Sequence, residues 1–312
     1  MKRAGRAVIM MASVACAIAF AVSGGRAQTG EDDVPLPQYK VDPFWPKPLP
    51  NNWLMKDIPR VAVDKQDNVW VFNRGAHPVI QFDKNGNMLQ SWGDGMFKSS
   101  HGIRLDADGN VWAIDVKGHL ALKFSPAGKV LMVIGRSPGN NDSKDSFNEP
   151  TGIAFASNGD LFISDGYVNS RVIKFNRDGD YLLHWGSKGE GDGQFNLVHD
   201  VTIDSAGKVY VADRTNARVQ IFDANGKFLG KWTGIGNPWG LAYVAKENAI
   251  YMCDGFNNRV IKLGLDGTVQ GVLGSQGRIP GKFDFVHNIA VDSEGSIYVV
   301  EIKNWRVQKF AK

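Results

Sequence analysis

Three histidines recur at one position of an internal sequence repeat. His101, His199 and His287 each stand directly before a copy of a segment that reads GIRLDADGNVWAID after His101. In the intervening copies the same position, which we call the slot, holds Pro59, Thr151 and Trp239. If six such copies close into a ring, the histidines of alternate copies converge on one axis, and converging neutral imidazoles form a metal site.

The ligand set that these histidines would form has three imidazoles and an open fourth position, which is typical of catalytic rather than structural zinc. Such an ion polarises an oxygen atom or lowers the pKa of a bound hydroxyl group. A single histidine at the start of a strand is more often a hydrogen-bonding partner of nearby backbone. The recurrence of histidine at the slot of alternate copies favours the metal site over that structural interpretation.

Three further side chains that could take part in chemistry, Arg74, Tyr167 and Arg214, follow the second predicted strand of their copies. Because the strands of a blade alternate in direction, these loops open on the same side as the slot. A tyrosine beside two guanidinium groups and a metal is placed to act as a general base. The alternative is that Tyr167 is a wedge between blades and both arginines are struts, as we expect for Arg171 and Arg218 in the recurring N-x-R-V pattern.

The elements that must position these residues are short strands. The repeat recurs about every 46 residues, which lies in the range of propeller blades. Each copy contains four runs rich in Val, Ile, Phe, Tyr and Trp, separated by turns of the Asp-Gly or Asn-Gly type. The sequence therefore predicts an all-β fold, a six-bladed β-propeller, over residues 57–312.

The sixth copy lacks a fourth strand, because the chain stops at Lys312 shortly after RVQKF. We expect the N-terminal segment, residues 28–56, to supply this outer strand near residues 38–44 and so to close the ring. The segment is rich in proline, which an edge strand tolerates. The alternative is a disordered linker.

The beginning of the chain predicts export. Residues 1–27 combine basic residues, an apolar stretch and small residues, as a signal peptide does. The chain has 36 Lys and Arg against 32 Asp and Glu, and this segment contains four of the basic residues and no acidic ones. The remaining chain is near neutral, which gives no electrostatic case for nucleic acid or for a membrane partner. We expect a periplasmic or secreted protein that acts as a monomer.

The motifs carry a family resemblance. The N-x-R-V-x-x-F pattern is similar to NHL repeats, and the chain after residue 27 resembles the peptidyl-α-hydroxyglycine α-amidating lyase family. The matching segments are VFNRG at 71–75, HGI at 101–103, EPT at 149–151, SDGYVNSR at 164–171, VH at 198–199, VADR at 211–214 and VH at 286–287. The segment at 164–171, together with the three spaced histidines, is the most specific part of the match.

The resemblance implies a zinc-dependent lyase. His101, His199 and His287 would be the zinc ligands and Tyr167 the catalytic base, and Arg74 and Arg214 would serve the active site and the substrate carboxylate. A peptidyl-α-hydroxyglycine, or a similar N-acyl carbinolamide with a C-terminal carboxylate, would be split into an amide and glyoxylate. The family also has a structural calcium, which the sequence leaves open here because Asn288 stands at the position of an acidic residue of the family.

Two other functions stay open from the sequence alone. One is a non-catalytic NHL propeller that binds a peptide or a glycan across the same mouth. The other is a calcium-dependent hydrolase of the lactonase type, for which Glu, Asn and Asp would be expected in the channel where this sequence offers histidines.

Overall fold

The computed structural model of the protein describes residues 35–36 and 39–312. The predicted signal peptide, residues 1–27, lies outside the described residues, as do residues 28–34 and 37–38 of the N-terminal segment. In the part of the chain that is described, no helix combines the length and the apolar character needed to cross a membrane.

Six antiparallel sheets of four strands each follow one another along the chain. In sheet order the strands are Arg60–Val63, Val69–Phe72, Val79–Phe82 and Met88–Trp92 in blade 1; Ser100–Leu105, Val111–Asp115, Leu120–Phe124 and Val130–Ile134 in blade 2; Pro150–Phe155, Leu161–Asp165, Arg171–Phe175 and Tyr181–Trp185 in blade 3; Val198–Ile203, Val209–Asp213, Arg218–Phe222 and Phe228–Thr233 in blade 4; Pro238–Val244, Ala249–Asp254, Arg259–Gly264 and Val269–Leu273 in blade 5; and Val286–Val291, Ile297–Glu301, Arg306–Ala311 and Lys40–Asp42 in blade 6. The described chain also has a short parallel pair, Ser187–Lys188 with Gln194–Phe195, and two 3-10 turns, Pro50–Asn52 and Ala245–Glu247.

The first strand of each blade packs against the first strands of the two neighbouring blades, and blade 6 packs in this way against blade 1. The six first strands therefore surround a central channel. The all-β six-bladed propeller predicted from the repeat is confirmed.

Blade 6 joins the two ends of the described chain. Its fourth strand, Lys40–Asp42, runs antiparallel to Arg306–Ala311, with Val41 opposite Phe310. Upstream, the backbone N–H of Leu36 donates to the carbonyl oxygen of Val272 in blade 5, at 3.0 Å. The N-terminal segment thus contacts two blades.

Hairpins and inter-blade contacts hold the inner strands in place. In blade 2, Asp106 accepts hydrogen bonds from the backbone of Asp108 and Asn110 and from Nε1 of Trp112, and Gly109 supplies the positive φ of the turn. Apolar side chains of the second and third strands fill the spaces between blades, as Trp112 does in the cluster shared by blades 2 and 3. These contacts fix the first strands, which carry the slot.

The arginines of the N-x-R-V pattern connect each blade to the preceding loop. Buried Arg171 pairs with Asp165 at 2.9 Å and donates to the carbonyl oxygens of Asn141 and Ser146. Arg218 makes the corresponding contacts with Asp213 and with the loop before blade 4. The arginines of this pattern are structural, in contrast to Arg74 and Arg214, which follow the second strands.

Trp45 offers a test of the packing between the N-terminal segment and the ring. Its ring is 4% exposed and contacts Tyr298 of blade 6 and Phe82 of blade 1, whereas the neighbouring Phe44 is 73% exposed. We expect Trp45→Ala to lower the free energy of unfolding by about 3–5 kcal/mol because it empties a buried aromatic site. The control Phe44→Ala should change it by less than about 0.5 kcal/mol. Urea unfolding measures both, and equal effects would contradict this packing.

Candidate metal centre

The slot residue is the extra residue of a β-bulge. In blade 2, Ser100 pairs with Asp115 and Gly102 pairs with Ile114, so that His101 between them has no partner in the ladder. The same shift occurs at the slot in blades 3 to 6. A bulge re-aims a side chain relative to the regular alternation of a strand. This local feature directs the slot side chains of the ring.

The structure brings the three predicted histidines together. The ring centroids of His101, His199 and His287 lie 4.9–5.2 Å apart, and one nitrogen from each lies within 4.8 Å of the others. All three side chains are buried. Among the described residues, no second group of three His, Cys, Asp or Glu side chains converges in this way.

Each histidine is oriented by the next blade. Nδ1 of His101 lies 2.6 Å from the carbonyl oxygen of Thr151, and Nδ1 of His199 and of His287 lie at the same distance from the carbonyl oxygens of Trp239 and Pro59. A carbonyl oxygen only accepts, so each Nδ1 carries the proton and donates. Nε2 of each ring therefore keeps its lone pair for a ligand.

Burial holds the pKa of each of the three histidines well below the usual range. The imidazole of His287 lowers the pKa of the other two further, and the guanidinium of Arg60 has this effect on His287. The three rings are neutral at physiological pH as a result. Three neutral Nε2 atoms with fixed tautomers form a donor set that fits a metal ion.

Tyr167 lies directly beside this donor set. Its phenol oxygen is 3.2 Å from Nε2 of His101 and 3.2 Å from Nε2 of His199. The backbone N–H of Tyr167 donates to the carbonyl oxygen of Glu149, which holds the loop after the second strand of blade 3. The loop thus directs the phenol to the mouth of the channel, on the side of the slot as predicted.

The two predicted arginines differ in their surroundings. The guanidinium of Arg214 stacks on Trp239, 4.2 Å from the ring centroid, and lies 5.6 Å from the ring of Tyr167. No carboxylate of the described chain forms an ion pair with it. Arg74 instead donates from Nε to the carbonyl oxygen of Ser100, and its guanidinium lies 4.0 Å from Asp57. Arg214 thus differs from Arg74 in that no carboxylate of the described residues lies beside it.

Trp239 was recognised from the sequence only as a slot residue. Its ring contacts His199 and His287, at centroid distances of 4.9 and 5.4 Å, and continues outward to Phe285 and to the exposed Phe256. An aromatic wall, formed by Trp239, Phe285 and Phe256, thus leads from the histidines to the surface. The sign of this role in the sequence was that Trp239 occupies the slot of its repeat.

The other three histidines of the chain lie elsewhere. Nδ1 of His77 pairs with Asp94, Nδ1 of His119 accepts from the backbone of Glu149, and His184 pairs with the hydroxyl of Tyr181 in an outer strand. None of them joins the converging group.

The comparisons with known proteins agree with this architecture. The family model of the NHL repeat matches residues 147–175 and 195–222. The peptidyl-glycine alpha-amidating monooxygenase of Mus musculus is 30% identical over 292 residues, which cover 80% of this chain and 30% of that protein. The peptidyl-alpha-hydroxyglycine alpha-amidating lyase 1 of Drosophila melanogaster is 30% identical over 323 residues, which cover 85% of this chain and 58% of that protein.

A solved structure shows the same fold at lower identity. The gluconolactonase of Xanthomonas campestris superimposes with a TM-score of 0.66 at 13% identity and covers 83% of this chain and 87% of that chain. This likeness concerns the fold alone. The chain spans less than two thirds of the length of the two curated relatives above.

The fold and the site define a six-bladed propeller of NHL-type repeats with a candidate metal centre at the slot. The chain is homologous to the peptidyl-α-hydroxyglycine α-amidating lyases and to the amidating monooxygenases. This finding confirms the resemblance predicted from the sequence motifs.

The donor set generates a prediction about metal content. We expect His199→Ala to abolish stoichiometric zinc, because two imidazoles remain, while the circular dichroism of the propeller is retained. The control His184→Ala also removes a histidine, but one that lies in an outer strand and does not belong to the converging group. This variant should keep full zinc. Metal analysis by mass spectrometry of both purified variants decides the question, and full zinc in His199→Ala would rule out the ligand assignment.

Proposed function

We propose that the protein is a zinc-dependent lyase that cleaves a peptidyl-α-hydroxyglycine, or a similar N-acyl carbinolamide, into an amide and glyoxylate. The single observation that carries this proposal is the phenol oxygen of Tyr167, which lies 3.2 Å from the free Nε2 of two of the histidines. A base at this position can reach a hydroxyl group of a substrate held beside the three histidines. The homology to amidating lyases supports the same reaction class.

The reaction balances with two proton transfers, from the hydroxyl group to a base and from the base to the nitrogen, and the cleavage of one carbon–nitrogen bond. The hydroxyl group of the carbinolamide loses its proton to Tyr167, which acts as the base in its deprotonated form. The carbon–nitrogen bond breaks, the oxygen's electron pair forms the carbonyl group of glyoxylate, and the nitrogen takes up the proton from Tyr167 to form the amide. The chain's residues must therefore hold the hydroxyl group next to Tyr167 and exclude competing orientations.

His101, His199 and His287 would hold the zinc ion through Nε2. When bound, zinc supplies a Lewis acid that stabilises negative charge on an oxygen atom. The three imidazoles are neutral and buried, so they bring no charge of their own to the centre. Tyr167 acts on the substrate proton, and the arginines orient the substrate.

Arg214 would bind the carboxylate of the substrate, because its guanidinium lies beside Tyr167 and has no carboxylate partner among the described residues. With the hydroxyl group at Tyr167 and the carboxylate at Arg214, the acyl part of the substrate would lie along the aromatic wall toward exposed Phe256. Arg74, held by the carbonyl oxygen of Ser100 next to His101, adds positive charge at the mouth.

The two alternative functions account less well for these side chains. Calcium prefers oxygen ligands, whereas the converging donors are imidazole nitrogens. A propeller that only binds a peptide or a glycan has no need of a phenol beside two free Nε2 atoms. We further propose that the protein acts as an exported monomer, in the periplasm or the medium, because residues 1–27 have the pattern of a signal peptide.

Tyr167→Phe tests the chemistry. We expect the variant to keep its zinc and its fold but to lose about two or more decades in kcat, because proton transfer by a side chain contributes about 10²–10⁴-fold. The measurement is glyoxylate release from α-hydroxyhippurate. Tyr181→Phe is the matched control, since it also removes a phenol next to a histidine, 3.0 Å from His184, but in an outer strand. Normal turnover in Tyr167→Phe would refute the base assignment, and no glyoxylate from the zinc-loaded wild type would favour the binding function.

Arg214→Gln tests carboxylate recognition. The loss of a charge-assisted contact costs about 1.5–3 kcal/mol, so we expect KM for α-hydroxyhippurate to rise about tenfold to a hundredfold. The control Arg136→Gln removes an arginine whose side chain is 83% exposed and should leave KM unchanged. If KM is unaffected in Arg214→Gln, the carboxylate binds elsewhere.

A further inference from the structure

The channel contains a second layer of side chains, formed by the residues that directly follow the slot. In blades 1 to 6 these are Arg60, Gly102, Gly152, Asp200, Gly240 and Asn288. Both charged side chains of this layer are buried: the cation Arg60 is 2% exposed, and the anion Asp200 is fully buried. A side chain at Gly152 would place its Cβ 2.5 Å from Oδ1 of Asp200 and 3.1 Å from Nη2 of Arg60. Glycine at this position therefore makes room for the pair.

The guanidinium of Arg60 is surrounded by oxygen atoms of three other blades. Nη1 donates to Oδ2 of Asp200 in blade 4, Nη2 donates to the carbonyl oxygen of Thr151 in blade 3 at 3.2 Å, and Nε faces the carbonyl oxygen of His101 in blade 2 at 3.5 Å. Backbone carbonyl oxygens combined with a carboxylate are the ligands that calcium takes in proteins. In this channel the guanidinium of Arg60, which is a cation, lies among these oxygen atoms.

We propose that Arg60 is an internal cation that takes the place of a channel metal ion, and that this propeller consequently needs no calcium. The positive charge comes from the first strand of blade 1, and the oxygen donors come from blades 2, 3 and 4. The contacts of Arg60 thus connect four of the six blades at the axis. The proposal concerns this layer alone and does not depend on the reaction at the histidines.

The local charges disfavour an additional divalent ion. Besides Arg60, the guanidinium of Arg104 lies 3.8 Å from Oδ2 of Asp200, and it donates to the carbonyl oxygens of Val201 and Leu241. One carboxylate is therefore already shared by two guanidinium groups. The corresponding residue of blade 6 is Asn288, a neutral amide whose Oδ1 faces the backbone N–H of Val61 at 3.4 Å. A calcium ion would be repelled by a site with net positive charge.

Arg60 also shares a hydrogen-bond acceptor with one histidine of the candidate metal centre. The carbonyl oxygen of Thr151 receives both Nη2 of Arg60 and Nδ1 of His101. The acceptor that fixes the tautomer of His101 is thus itself held by Arg60. Loss of the guanidinium should loosen this carbonyl as well as the second layer.

The wild-type protein provides the first test. Zinc-loaded protein is dialysed against calcium-free buffer, without a chelator because chelators also remove zinc, and its Tm and calcium content are then measured with and without added CaCl2. We expect no stoichiometric calcium and no change of Tm with CaCl2. One equivalent of retained calcium, or a rise in Tm on adding CaCl2 but not MgCl2, would overturn the proposal.

Two variants separate charge from structural support. Arg60→Ala removes the cation that lies among these oxygen donors and leaves only Arg104, 3.8 Å from Asp200, so we expect a lower Tm that CaCl2 raises by several degrees and that MgCl2 at equal ionic strength does not restore. Arg60→Lys keeps a positive charge, and its Tm should not respond to CaCl2. If Arg60 only supports the structure, the Tm of both variants should be unaffected by CaCl2.

The outcomes are distinguishable. A folded Arg60→Ala variant whose Tm ignores CaCl2 would refute the assignment of these oxygens as a cation site. A calcium response in Arg60→Lys equal to that in Arg60→Ala would refute the role of the charge. If Arg60→Ala does not fold, the calcium measurements on the wild type and on Arg60→Lys still decide the proposal.

Discussion

The hydrogen bond from each slot histidine to the backbone of the following blade is the constraint on which the site depends. Nδ1 of His101, His199 and His287 faces a carbonyl oxygen of the next slot residue at 2.6 Å. The donor and the acceptor belong to different blades, so the three Nε2 atoms converge only when the ring is closed. His287 makes this explicit, because its acceptor is Pro59 of blade 1, 228 residues earlier in the chain. The three-nitrogen donor set therefore forms only when the ring closes.

The repeats arrange the slot residues symmetrically about the axis, whereas the loops place different side chains around them. Histidines at alternate slots surround the axis almost evenly, whereas Tyr167 approaches two of them from one side and Arg214 stacks against Trp239 next to it. The second layer is asymmetric in the same way, since a single arginine, Arg60, faces a single carboxylate, Asp200. A regular scaffold with irregular loops is how propellers present one directional site. The candidate site thus combines a repeated position, the slot, with residues that depart from the repeat.

Much of this organisation could be predicted from the sequence because it is periodic. The strand pattern and the turns predicted six blades, and the shared slot predicted that His101, His199 and His287 meet at one axis. The loops after the second strands predicted that Tyr167 opens toward the same mouth. Each of these inferences needs only the spacing of residues within a repeat and the alternation of strand direction.

The sequence by itself thus determined the blades, the slot and the side of the ring on which chemistry is possible. The tertiary structure alone decided which nitrogen of each histidine is free, that Trp239 lines the site, and that Arg60 faces Asp200 across the channel. These contacts join residues of different blades that are far apart in the chain. No local pattern encodes such pairs, because the partners become neighbours only through closure of the ring.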